Sequence, residues 1–224
     1  MAASFAIQSY LMDERSKAAE DLRVIRSLME RATIYRAISA PTALVGGLLA
    51  LVTCAALCFF GRNRPVENSE RDCQLFAATW LVVLLLVLAV NAFFVRREAR
   101  RNGRPFFSPG AKLALRAIAP CLIIPAVATV WFFQHADPID EIVLVCVWVA
   151  FYGLALLATA LFAPLALTLL GWAFLLSSLA IAWWPKSFTF DPHNYFPSLA
   201  MGATFGLYHL IYALCIWTTP QSSE

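Results

Sequence analysis

Inside the long apolar stretches of this 224-residue chain, His209, Tyr212, Asn91 and Arg116 stand out as side chains able to hold a proton, a charge or a ligand. An imidazole can relay a proton, sense pH, or ligate a metal or haem. His209 lies near the middle of the last apolar stretch, with Tyr212 one helical turn further on. The other histidines, His135 and His193, fall outside such stretches, so no second ring shares its environment. The plainer role is a neutral ring bonded across a helix contact, and Asn91 offers the same choice. Arg116 lies one turn inside its stretch. An anion contact is one reading, because ionisable groups in hydrocarbon are costly. The other is a side chain that snorkels to headgroups about 5 Å away. An intramembrane hydrolase needs a nucleophile beside a base. Ser177 or Ser178 with His209 is the only such pairing, and their estimated depths differ.

Two polar segments repeat a histidine and a carboxylate: His135 with Asp137, and Asp191 with His193. That donor set suits zinc, yet nothing in the sequence ties the segments together, and no metal is expected. No cofactor is expected either. The chain lacks G-x-x-x-x-G-K-[ST], H-E-x-x-H and G-x-S-x-G, the patterns that cradle phosphate, bind zinc or expose a serine nucleophile. Of six cysteines, Cys54, Cys58, Cys121, Cys146 and Cys215 lie in apolar stretches, Cys73 in a polar one, and no C-x-x-C occurs.

The elements that must position these residues follow from composition. Hydrophobic residues make up 61% of the chain and charged ones 14%, with mean hydropathy +0.70. A soluble domain carries about 25% charged residues, so hydrocarbon must solvate most of this surface. About 20 apolar residues cross a bilayer as a helix, and six stretches qualify: 41–60, 75–95, 113–133, 142–162, 165–184 and 198–217. The run 142–184 carries no charge over 43 residues, twice the length one crossing needs. It must fold back, and Pro164 is the place, since proline suits a helix start and not its interior. The expected architecture is an all-α, six-helix transmembrane bundle over 41–218, preceded by an amphipathic segment over 1–40. Glycines at Gly46, Gly47, Gly202 and Gly206 are expected to let helices approach closely. No Asp or Glu lies in any span, which argues against a cation-coupled transporter.

Basic residues orient the bundle. Twelve lie before the first span or between the second and third, and four in the segments that would face the other side. Cytoplasmic segments carry that excess, so both termini are expected inside. Residues 1–40 lack the short apolar core of a signal peptide, so the first span is expected to remain as an anchor. Within 13–38, Ala18, Leu22, Ile25, Met29 and Ala32 recur at steps of 4, 3, 4 and 3. That spacing draws one apolar stripe along a cytosolic or interfacial helix.

The stretch Ile25-Arg26-Ser27-Leu28-Met29-Glu30-Arg31-Ala32, continuing through Tyr35-Arg36-Ala37-Ile38-Ser39-Ala40-Pro41 to Gly46-Gly47, resembles the opening of a group of uncharacterised bacterial multi-pass membrane proteins. These begin with a cytosolic I-R-x-x-M-E-R-like helix. The resemblance covers about 30 residues, implies a bacterial inner membrane, and carries no site residues with it. Arginine outnumbers lysine 14 to 3, which fits a GC-rich bacterial genome. The expected function is a non-enzymatic signalling or interaction module, whose stripe at 13–38 meets a protein partner or a second copy. Membrane lipids are the other expected partner, and nucleic acid is not one. The alternative is a small-molecule or lipid carrier, or a channel, lined by polar groups around His209.

Overall fold

The computed structural model describes Lys17, Glu20 and residues 40–60, 69–101, 109–135, 138–160, 163–183 and 195–218. Backbone contacts divide the chain into Met1–Ala37 and Ile38–Glu224. In the first unit Lys17 and Glu20 are helical and exposed. The rest of 13–38, including all five residues of the expected stripe, lies outside the described residues.

In the second unit every described element is a helix, and six are long and apolar enough to cross a bilayer. They are α1 (Ala40–Phe60), α2 (Ser69–Arg101), α3 (Pro109–Gln134), α4 (Pro138–Ala158), α5 (Leu165–Trp183) and α6 (Phe196–Thr218). The protein is an all-α, multi-pass membrane bundle. Continuous helix is what hydrocarbon demands, because a backbone amide there finds no water and must bond within its own segment.

Several boundaries differ from the expected spans for local reasons. At 33 residues, α2 is about 50 Å long and exceeds the hydrocarbon thickness. Glu70 and Asp72 in its first turn and Arg100 and Arg101 in its last complement the helix dipole and let it extend beyond the apolar part. Helix α3 runs through Pro120 and Pro125 without ending. Prolines are tolerated in membrane helices where side chains re-engage the backbone groups around them. One turn beyond Pro125, the Thr129 hydroxyl donates to the Pro125 carbonyl at 2.6 Å, as threonines in helices commonly do.

Helix α4 ends at Ala158, four residues short of the expected 162. Thr159 turns the chain, its amide donating to Leu156 at 3.1 Å and its hydroxyl to the same carbonyl at 2.7 Å. Pro164 then stands immediately before α5, where its missing amide hydrogen costs nothing.

Helix α4 is the hub, packing against α3, α5, α2 and the start of α6. Where α4 crosses α5, a methyl added at Gly153 would lie 2.8 Å from the Gly171 carbonyl oxygen, so the two backbones touch. Helices α1 and α6 meet in the same way. A methyl at Gly47 would lie 2.9 Å from the Gly206 oxygen, and one at Gly202 would lie 2.6 Å from Cys54 Sγ. Cys73 and Ala77 of α2, Phe132 of α3 and Leu144 of α4 form a buried apolar cluster, with Trp148 against it.

Candidate functional site

The densest polar arrangement lies where α4, α5 and α6 meet, and a change of helical pitch creates it. Residues Gly202–Leu207 of α6 form a π turn, one residue wider than an α turn. The buried Thr204 hydroxyl donates to the Ala200 carbonyl, in the α turn just before it, at 2.7 Å. A line drawn at 3.6 residues per turn would put Ser198, Gly202, Gly206, His209 and Ala213 on one face. The π turn breaks that phase. Gly202 and Gly206 face α1, whereas Phe205, Tyr208 and His209 face α4 and α5.

Phe174 of α5, fully enclosed, is the centre of the aromatic cluster. Its ring centroid lies 4.7 Å from Tyr152, 5.1 Å from Phe205, and 5.6 Å from both Tyr208 and His209. Against this apolar platform two hydrogen-bonded pairs are set. Tyr152 Oη lies 2.7 Å from His209 Nε2, and Ser177 Oγ lies 2.7 Å from Tyr208 Oη.

The proton inventory orients the Tyr208–Ser177 pair. Ser177 Oγ also lies 2.7 Å from the Ala173 carbonyl, which can only accept. The single serine proton goes there, so the Tyr208 hydroxyl donates to Ser177. At His209, buried Nδ1 has no hydrogen-bond partner. The Phe205 carbonyl one turn back interacts with the ring without reaching hydrogen-bond geometry. With the proton on Nδ1, Nε2 accepts from the Tyr152 hydroxyl; with the proton on Nε2, the ring donates to the tyrosine oxygen. The arrangement can hold three helices in one register and keep a neutral imidazole in place. Two further bonds do similar work: Trp148 Nε1 donates to Thr129 Oγ1 at 2.9 Å, and Ser178 Oγ to the Cys146 carbonyl at 3.0 Å.

The residues singled out from sequence do not all gather here. Tyr212 is buried on α6, one turn beyond His209. Asn91 on α2 and Arg116 on α3 are exposed. Neither Ser177 nor Ser178 bonds to His209; Tyr208, its neighbour in sequence, takes Ser177. Gly46 meets Val87 of α2 at ordinary contact distance, while Gly47, Gly202 and Gly206 lie at the tight crossing of α1 and α6.

Of the metal candidates, Asp137, Asp191 and His193 lie outside the described residues. His135 stacks on Trp131 with centroids 5.1 Å apart, and its Nδ1 lies 3.2 Å from the Trp131 carbonyl. Among the described residues no three His, Cys, Asp or Glu side chains come together as a metal would need. Near that end Cys73 Sγ donates to Glu141 Oε2 at 3.7 Å, linking α2 to α4.

Tyr152, Phe174, Tyr208, Gly153 and Gly171 were not legible as site or packing residues. Only their place in an apolar run showed. One signal was available: Gly153 and Gly171 are equidistant from position 162, as are Cys146 and Ser178. A fold-back there brings each pair level. Searches with family models, curated proteins and solved structures found no match to this chain.

Proposed function

We propose that this is a non-enzymatic protein of a bacterial inner membrane, with both termini cytoplasmic, which signals or regulates through protein contacts made by its N-terminal segment. The observation that supports this reading is the pairing of polar groups within the spans. Tyr152 with His209 and Tyr208 with Ser177 use their hydrogen-bonding capacity on one another. Groups spent in this way hold helices together and are not offered to a substrate. The part of the chain with both charge and an ordered apolar stripe is then 13–38. The excess of basic residues before the first span and between the second and third supports the orientation.

The test is site-specific photo-crosslinking in cells from the stripe positions Ala18, Ile25 and Met29. Discrete protein adducts that vanish when residues 1–38 are deleted are expected. Adducts to lipid alone would place the stripe on headgroups and end the signalling reading.

The carrier or channel reading keeps one observation in its favour, the partnerless buried Nδ1 of His209. It loses support from Asn91 and Arg116, which it requires beside His209 and which are exposed on α2 and α3.

A further inference from the structure

Helix α2 packs unevenly along its length. Cys73, Phe76, Ala77 and Trp80 in its first half are buried. From residue 81 to residue 101 none is. Along this second half Val83, Val87, Val90 and Phe94 are half-buried, and Val87 meets Gly46 of α1. Roughly a third of a turn away run Leu81, Leu84, Leu88, Asn91 and Val95, spaced 3, 4, 3 and 4. That is the heptad spacing of a two-helix seam. Leu84 is 50% exposed and Leu88 52% exposed, and Asn91 is exposed between Leu88 and Val95.

Lipid tails satisfy leucine and valine but not a carboxamide. Asn91 lies in the charge-free run 73–95, about 7.5 Å along the helix from Arg96. It makes no hydrogen bond among the described residues. Other polar side chains in the spans do find acceptors, as Thr79, Thr129, Ser178 and Thr204 each show. A carboxamide carries both donors and acceptors, so it complements itself across a twofold axis. Two copies of one chain in one membrane share a topology, so their α2 helices must run parallel, which brings the same residues level.

We propose that α2 is a homodimer interface in the membrane, with Leu84, Leu88 and Val95 interdigitating and Asn91 bonded to the same residue of a second copy. One polar residue in such a seam also sets its register. The proposal uses no residue of the N-terminal stripe, so the two readings fail independently.

The experiment is energy transfer between donor- and acceptor-labelled full-length chains in phosphatidylcholine vesicles, diluted with lipid. The parent chain is expected to self-associate, and so is a chain lacking residues 1–38. Asn91→Leu is expected to weaken association about tenfold, and Leu88→Ala to weaken it as well. Leu86→Ala, on the far side of α2, should leave it unchanged, and helicity by circular dichroism is expected to be equal in all. A parent chain that stays monomeric, with headgroups or water solvating Asn91, overturns the proposal. So does association undiminished in both Asn91→Leu and Leu88→Ala, or association that disappears only when residues 1–38 are removed.

Discussion

At the scale of single residues, the hydroxyls of Tyr152 and Tyr208 matter more than their rings suggest. Each bonds to a polar side chain on a neighbouring helix. Tyr152→Phe keeps the ring against Phe174 and removes only the bond, leaving His209 Nε2 without its partner. A loss of about 1 kcal/mol is expected, the usual size of a hydrogen bond between membrane helices. Equilibrium unfolding in mixed micelles measures it. An unchanged midpoint would mean that the bond contributes nothing. Ser177→Ala should cost about as much, because it leaves the Tyr208 hydroxyl without its acceptor while the ring stays packed on Phe174. His209 stands out in the sequence because imidazole is rare in hydrocarbon. Tyr152 does not, because a tyrosine in an apolar run reads equally well as one more apolar ring. Only the partner's position distinguishes the two.

At the scale of elements, α4 and α5 form a hairpin whose register is set by backbone contact. Gly153→Ala puts a methyl 2.8 Å from a carbonyl oxygen that cannot retreat without moving its helix. An overpacking cost of about 1–3 kcal/mol is expected. Gly46→Ala is the control. Its methyl would meet Val87 at 3.4 Å, an ordinary contact, and stability should change little. The same unfolding assay compares them, and equal effects would contradict the tight crossing. The fold-back itself was legible, since 43 uncharged residues exceed one crossing. The end of α4 at Ala158 was not, because the capping bonds of Thr159 are local geometry with no compositional trace. Nor was the π turn, which leaves composition unchanged while rotating everything after it.

At the scale of the whole molecule, six described helices are long and apolar enough to cross a bilayer. On the proposed orientation, reporters fused to the two ends should both be active in the cytoplasm. A reporter pair active in opposite compartments would require an odd number of crossings and would contradict the six-span bundle. Hydrophobic length and charge distribution alone determined that the chain is helical, multi-pass and divided into these six segments. They could do so because transfer into hydrocarbon depends on each segment's own composition and hardly on its neighbours. Tertiary structure decided the rest: that His209 meets Tyr152, that Ser177 serves Tyr208, and that Asn91 looks outward from α2. In lipid almost every face of a span is apolar, so hydropathy carries no record of how a helix is rotated. Small residues, single hydrogen bonds and one widened turn choose that rotation.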